Sequence, residues 1–234
     1  MANLPGDGSR WERLTKREKA VARLAAEAMT NQQIARRLGI TTHTVNFHLR
    51  QIFAKLGMNR TSLQWRPDFR ANLADGWNDK GEPLEHDERS NVRVAGSMDT
   101  TISDLSKFIA ALARGDGLSA AARVDMVKSS LHIGTAHQFP NFAPYLPKAE
   151  QRLDLAAGLG VIVFEGPQGR GFYKGGHDAQ TANTFVCLER SRRCVLLLAN
   201  DVRAEARFAD LVRFVLGETG VPYDWEYGDQ AGKS

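Results

Sequence analysis

Apolar residues recur at helical spacing in three stretches of the first 64 positions. The first stretch follows Thr15 and Glu18, a Thr-x-x-Glu capping box of the kind that opens a helix. The second follows Thr30 and Gln33, which repeat the capping signal, and Gly39 is placed to end it as a C-cap residue. The pattern therefore predicts two consecutive helices, the second of them short.

A third, longer helix is predicted from about Thr42 to Leu56, with Thr41 as its N-cap. Its inward face is marked by Val45, Leu49 and Ile52. A short helix, a tight turn and a second helix make up the helix-turn-helix arrangement. The second helix of that arrangement can enter the major groove of DNA, where polar residues near its N-terminus face base edges.

The charge of the chain is concentrated in this helical segment. Residues 1–64 hold 11 Lys and Arg against 4 Asp and Glu, whereas residues 65–234 hold 20 against 23. The net charge of +4 thus conceals a strongly basic head and a weakly acidic body. Such asymmetry indicates two units, of which the first has an anionic partner.

Four ordered blocks of this head resemble a LuxR-type helix-turn-helix domain, and they cover about 50 residues. The matching blocks are Leu14–Glu18, Thr30–Ile40, Thr44–His48 and Ile52–Gly57. The resemblance implies sequence-specific binding to double-stranded DNA and transcriptional control.

The same resemblance implies which side chains meet DNA. Asn46, Phe47 and Arg50 occupy the groove-facing positions of the recognition helix, and Asn can read adenine through two hydrogen bonds. Residues that carry a hydroxyl group or a positive charge are the candidates for phosphate contacts, which position a protein on the duplex. They are Thr42, Thr44, Arg36, Arg37, Lys55 and Arg60.

Two features of the head depart from the family pattern. Asn46 stands where the family usually has Lys, so one contact should be weaker or different. The family's fourth helix, often used for dimerisation, would begin near Asn59 and be stopped by Pro67 after about two turns. Dimerisation through that helix is therefore not expected.

The second part of the chain begins with a polar stretch, residues 65–95, which the pattern assigns to a linker with little regular structure. A capped helix is predicted from Asp99 to Leu112, and a further one from Ser119. The period then changes to that of strands at Leu159–Phe164 and in three later segments. These three are Phe172–Gly176, Thr184–Glu189 and Cys194–Ala199, and a final helix is predicted over Val202–Leu216.

The two cysteines, Cys187 and Cys194, face each other if Arg190 and Ser191 form a two-residue turn. Two cysteines are too few for a disulfide scaffold, and no secretory signal is recognisable at the start of the sequence. We therefore expect two reduced thiols in contact.

Four blocks of this second part resemble the C-terminal half of a serine beta-lactamase or penicillin-binding-protein-like hydrolase. They are Ala95–Leu105, Gly158–Val161, Lys174–Asp178 and Val195–Asn200. By this resemblance Gly176, His177 and Asp178 lie on the strand that borders the active site, where Asp178 and Ala179 depart from the commonest form. The family's N-terminal helix and first strands are missing, so we expect an exposed strand edge or apolar patch that favours self-association.

The motifs that carry the family's chemistry are also missing from the sequence. The family uses a Ser-x-x-Lys nucleophile and a Tyr-x-Asn or similar general base, yet no serine here has Lys three residues on and no tyrosine has Asn two residues on. A serine without an adjacent base is a weak nucleophile. We therefore assign no catalytic residue, metal ligand or cofactor, and regard His177 and Asp178 as candidate ligand contacts.

The predicted fold class is multidomain, a small all-α head followed by an α+β region with an antiparallel sheet and a C-terminal helix. The predicted division is a DNA-binding domain over 1–64, a linker over 65–95 and a partial beta-lactamase-like region over 96–234. With 42% apolar and 25% charged residues the chain is globular, and it has no apolar run long enough for a membrane helix.

These observations favour a cytoplasmic, DNA-binding transcription regulator with a catalytically inactive body. A second copy of the chain and an unidentified small ligand are further candidate partners. The alternative is a serine hydrolase, acting on an ester or amide, with a DNA-binding appendage.

Overall fold

The computed structural model describes residues 10–26, 29–88, 98–116, 120–138, 143–152 and 154–228. By their packing, the residues fall into two units. One unit comprises Met1–Ala71 and Glu88–Ala120, and the other comprises Asn72–Asp87 and Ala121–Ser234. Residues 98–116, which the sequence assigns to the second region, thus pack with the head.

The head is built from three helices that begin where the capping signals predict. They are α1 (Lys16–Ala26), α2 (Asn31–Leu38) and α3 (Thr42–Lys55). Thr15 and Glu18 exchange backbone–side-chain hydrogen bonds, as do Thr30 and Gln33, so both capping boxes are confirmed. Gly39 ends α2 in the left-handed conformation, with φ of 63°, which glycine adopts without steric cost.

The three helices enclose one small hydrophobic core. Val21, Ile34 and Val45 are fully buried, one from each helix. The apolar spacing of each helix therefore points inward as predicted. At the end of α3 the chain turns through Gly57, and Met58 is buried beyond it.

The predicted fourth helix is wrong. Residues 59–66, all of them described, form no helix. Instead Ser62 pairs with Asp99 as an isolated antiparallel bridge, and the Thr61 hydroxyl lies 3.1 Å from the Asp104 carboxylate. The segment is held by these distant residues, so its local helical tendency is overridden.

The helix that supplies Asp104 is α4 (Ile102–Arg114), capped by Thr101 and ended by Gly115. Its start was predicted three residues too early, and Phe108, although apolar, is exposed. The predicted linker contains a 3₁₀ helix at Pro67–Asn72 and a small hairpin of β1 (Gly76–Trp77) and β2 (Pro83–Leu84). The residues 95–97 of the matching block lie outside the described residues, as does Ser119, the predicted start of the next helix.

The second unit is organised around a six-stranded antiparallel sheet in which the strands follow one another in chain order. The strands are β3 (Leu131–His132), β4 (Ala156–Ala157), β5 (Ile162–Gly166), β6 (Gly169–His177), β7 (Ala182–Leu188) and β8 (Arg193–Ala199). The helix α5 (Ala120–Met126) precedes the sheet. After β8 come a 3₁₀ helix at Val202–Arg207, α6 (Phe208–Leu216) and α7 (Tyr223–Tyr227).

The core of this unit lies between the sheet and the C-terminal helices. Tyr173, Val186, Phe208 and Val212 are its centre, and each is almost completely inaccessible to solvent. The predicted final helix is confirmed in position, but two of its apolar residues, Leu211 and Val215, are exposed. The buried residues Phe208, Val212 and Leu216 are four positions apart, so they form a narrow inward stripe and Leu211 and Val215 lie beside it.

Cys187 and Cys194 face each other across β7 and β8, so the predicted register is confirmed. The expectation of free thiols is wrong, because the two sulfur atoms form a disulfide. The cross-strand position brings their Cα atoms within 4.1 Å, close enough for the bond.

Candidate functional site

The outer face of α3 carries the side chains that the sequence proposes for DNA. Thr42 and Arg50 are exposed, and Phe47 is 54% exposed although it is a large aromatic residue. The opposite face, with Val45 and Leu49, is buried in the head. The helix is therefore anchored by its buried face and presents polar groups and one aromatic ring to solvent on the other.

Two of the groove-facing candidates are oriented by neighbours. The Asn46 Oδ1 atom accepts a hydrogen bond from the Asn31 side chain of α2. The Arg50 guanidinium donates to Gln64 Oε1 at 3.2 Å. Thr44 lies at the start of α3, where its hydroxyl is 2.9 Å from that of Thr41. These contacts orient the side chains in the structure without a ligand.

The remaining positive charges divide into two groups. Arg36, Arg37 and Arg60 are exposed on the head. Lys55, in contrast, has its Nζ atom 2.8 Å from the Glu18 carboxylate, which is almost fully buried. This ion pair joins α3 to α1.

Glu18 shows why Lys55 is held there. Burial opposes the ionised carboxylate, but hydrogen bonds from Lys55 and Thr15 outweigh it, so the pKa of Glu18 lies below its ordinary value. A charged carboxylate in the core of the head requires the nearby cation. The ion pair therefore gives Lys55 a structural role. No such carboxylate partner is described for the exposed Arg36, Arg37 and Arg60.

In the second unit, His177 ends β6 and has Nδ1 2.7 Å from Glu205 Oε1. Burial raises the pKa of Glu205, and the neighbouring imidazole lowers it less. Asp178 follows, and its Oδ1 atom accepts from the backbone N–H groups of Gln180 and Thr181 and from the Thr181 hydroxyl. Asp178 is therefore committed to closing the turn before β7.

A buried polar cluster beside His177 was not predicted from the sequence. Glu226, on α7, is 93% buried, with Tyr173, Tyr223 and Tyr227 around it and Lys174 among the charges that act on it. Its Oε1 atom lies only 1.8 Å from where a Cβ atom of residue 175 would stand, so Gly175 is required for this approach. Burial raises the pKa of Glu226 to about 7.

The sequence offers no periodic signal for this cluster. α7 has five residues, too few to show a periodic pattern, and its partners come from β6, about 50 positions earlier. Among the described residues, no group of three or more His, Cys, Asp and Glu side chains is arranged to hold a metal ion. No described helix is long and apolar enough to cross a membrane.

The fold and these surfaces define a chain with a helix-turn-helix head followed by an antiparallel sheet that packs against C-terminal helices. Residues 44–230, which are most of the chain, match the Beta-lactamase family model, and the chain belongs to that family. Residues 12–63 match the model described as bacterial regulatory proteins, luxR family. The two matches overlap over residues 44–63, so most of α3 and the turn after it fit both.

Solved structures support the fold of the second match. The beta-lactamase/D-alanine carboxypeptidase from Pseudomonas syringae superposes with a TM-score of 0.54 at 14% identity, covering 75% of this chain and 52% of that one. D-alanine carboxypeptidase AmpC from Burkholderia cenocepacia gives 0.53 at 14% identity, covering 74% and 54%. At these identities the likeness shows the fold alone, and the chain spans about half the length of these proteins.

Curated relatives match the head. The two-component response regulator PprB of Pseudomonas aeruginosa is 46% identical over 52 residues, which are 22% of this chain and 19% of that protein. The transcriptional activator protein AnoR of Acinetobacter nosocomialis is 48% identical over 46 residues, 20% and 19% respectively. The chain thus spans about a fifth of the length of either relative. Both resemblances stated from the sequence are confirmed.

Proposed function

We propose that the chain is a transcription regulator that binds double-stranded DNA through α3. The observation that carries this proposal is the exposed face of α3 within a head that matches the luxR family. Asn46, Phe47 and Arg50 would meet base edges in the major groove. Thr42, Thr44, Arg36, Arg37 and Arg60 would contact phosphates, and Lys55 would act mainly through Glu18. Such a regulator would work in the cytoplasm, where chromosomal DNA is accessible.

Replacing Arg50 with Ala should weaken DNA binding and relax the preference for the selected site. A side chain that reads a base contributes about 1–3 kcal/mol of discrimination, or roughly 5- to 150-fold. The operator is first obtained by selecting bound duplexes from a random pool with the full chain. Fluorescence anisotropy then measures the affinity for that site and for a scrambled duplex across a salt series.

Arg23→Ala is the matched control, since Arg23 is exposed on α1 and the charge change is the same. It should leave the ratio of the two affinities unchanged. An equal loss on both duplexes in Arg50→Ala would identify Arg50 as a phosphate contact. Failure of the full chain to bind any duplex at low salt would refute the DNA-binding function itself.

We infer further that the body performs no serine-hydrolase chemistry. The support is that the sequence has neither Ser-x-x-Lys nor Tyr-x-Asn, and that Asp178 is engaged in a turn. A small ligand held near His177 would then act as a signal and not as a substrate. The competing function is hydrolysis of an ester or amide, favoured by the membership of the Beta-lactamase family.

Incubation with a fluorophosphonate probe and with a fluorescent penicillin distinguishes these functions. We expect no covalent adduct on the full chain by intact-protein mass spectrometry, because no serine has an adjacent base to activate it. An active serine beta-lactamase in the same experiment shows that the probes react. An adduct on one serine of this chain, lost when that serine is replaced by Ala, would establish the hydrolase function instead.

A further inference from the structure

The strand β8 lies at one edge of the sheet of the second unit. Within the described residues the only strand that forms a ladder with it is β7. Just beyond its end Trp77 of β1 bridges to Asp201 and donates its N–H to the Asn200 carbonyl at 2.9 Å, so the open edge stops at Ala199. Its sequence, Arg193–Ala199, is apolar after the first residue, and it carries neither proline nor an inward charge. Natural sheets normally protect such an edge, because its unpaired backbone groups are ready to pair with another strand.

The register shows which backbone groups point away from β7. Cys187 and Cys194 are direct partners, and their Cα atoms are 4.1 Å apart, the close spacing of a pair that does not exchange hydrogen bonds. The amide and carbonyl groups of Cys194 therefore point outward, and by alternation so do those of Leu196 and Leu198. Those of Val195 and Leu197 bond to β7.

A strip of exposed apolar side chains lies on the helix that covers this same strand. Among the strands, α6 packs mainly against β8, and Arg193 Nη2 donates to the Val215 carbonyl at 2.7 Å. On α6, Leu211 and Val215 are nearly half exposed, and Phe214 is 88% exposed. A phenylalanine this exposed, two residues from the buried Val212, is typical of a surface that is covered by a partner.

We propose that this surface, made of the outer edge of β8 and the exposed strip of α6, binds a second copy of the chain. The two β8 strands would pair antiparallel about a two-fold axis through Leu196, so that each Leu196 faces its equivalent. Cys194 would face Leu198 of the second copy. Because the backbone amide and carbonyl groups of both residues point away from β7, they can form hydrogen bonds across the interface. The two α6 helices then lie side by side on one face of a continuous sheet, with Phe214 between them.

Charge supports a copy of this chain as the occupant. The turn that leads into β8 carries the exposed residues Arg190, Arg192 and Arg193. At the other end of the strand, Asp201 is paired with Arg203 of the same chain, at 2.6 Å, and Asp75 is exposed beside it. The backbone carbonyl of Asp75 accepts a hydrogen bond from the Asn200 side chain. Antiparallel pairing places these three arginines of one copy beside Asp75 of the other. A parallel arrangement would bring like charges together instead.

The interface would also affect DNA binding. This step alone rests on the proposed function. Helix-turn-helix proteins commonly bind two half-sites as two-fold dimers. Residues 59–66 of this head form no dimerisation helix. The sheet of the second unit would replace that helix as the element that joins two DNA-binding heads.

Sedimentation velocity of the full chain, without DNA, tests the interface independently of the function. We expect a species of twice the chain mass of 25.9 kDa in the low micromolar range. The double variant Leu211→Glu, Phe214→Glu places four carboxylates around the axis of the proposed dimer and should raise the dissociation constant at least 100-fold. Leu159→Glu, at an exposed apolar position near the far strands, is the control and should remain a dimer.

Amide hydrogen exchange supplies a second measurement that needs no variant. The amides of Leu196 and Leu198 should be protected at concentrations where the dimer forms and lose that protection on dilution. Those of Val195 and Leu197 should be protected at both concentrations. A monomer at 50 μM overturns the proposal, and so does a dimer in which Leu196 and Leu198 exchange rapidly. A dimer that binds no DNA would preserve this interface and refute the proposed function instead.

Discussion

The stability of the second unit should fall by about 3 kcal/mol as the pH rises from about 4.5 to 7, and Glu226→Gln should abolish most of this fall. Burial raises the pKa of Glu226 from 4.5 to about 7. Between these two values the folded state keeps a proton that the unfolded chain releases. Protonation therefore favours folding fully below pH 4.5, and the advantage is lost as the pH rises to 7.

Glu226→Gln keeps the shape of the side chain but cannot ionise, so the variant should be the more stable protein above pH 7. Hydrogen exchange of the Val186 amide measures the opening free energy of this unit, because Val186 is at the centre of its core. Glu150→Gln changes an exposed carboxyl group in the same unit and should follow the wild-type profile. A profile of Glu226→Gln that is parallel to that of the wild type would mean that Glu226 is ionised in the folded protein at pH 5.

The neighbours of Glu226 act on the same profile and set its remaining slope. Lys174 and His177 lower the pKa of Glu226, and Glu205 raises it. Burial also raises the pKa of Glu205, which therefore contributes in the same direction. The high pKa values of Tyr173, Tyr223 and Tyr227, caused mainly by burial, keep all three phenols neutral over this range. The pH dependence of stability that remains in Glu226→Gln is thus assigned chiefly to Glu205.

The features of the fold that the sequence predicts correctly depend on neighbouring residues. Thr30, Gln33 and Gly39 specify the bounds of α2 because each cap is closed within three or four residues. The register of β7 and β8 follows in the same way from a short turn, although the turn spans 189–192 and Arg192 adopts a positive φ. Such signals act locally, so a single sequence is enough to find them.

The features that it misses depend on residues far apart in the chain. The Asp104 carboxylate accepts hydrogen bonds from Arg60 and Thr61, more than 40 positions earlier, and no periodicity announces this contact. Glu226 approaches the backbone of Gly175 across a similar distance. The groove-facing residues of α3 were found through a family resemblance, and their contacts with DNA stay predictions.

Asp104→Ala should destabilise the first unit by about 2–3 kcal/mol, because the Arg60 amide and the buried Thr61 hydroxyl lose this acceptor. Asp104 is 4% exposed, and its carboxylate accepts from the Arg60 amide at 2.7 Å and from Lys107 Nζ at 2.9 Å. Burial alone would raise the pKa of Asp104, but these hydrogen bonds outweigh it and the pKa is lowered. The stabilisation is therefore complete above the ordinary pKa near 4 and is lost as the pH falls through the lower folded value.

Exchange of the Val45 amide reports this loss within the head, since Val45 is fully buried in α3. Asp116→Ala removes an exposed carboxylate that pairs with Arg114 in the same unit, and it should cost less than about 1 kcal/mol. If the two variants were equally stable, Asp104 would contribute no more than a surface ion pair. If the head is destabilised as expected, DNA affinity should fall as well, because Arg60 and Thr61 lie five and six residues after the end of α3 and lose the anchor that holds this segment.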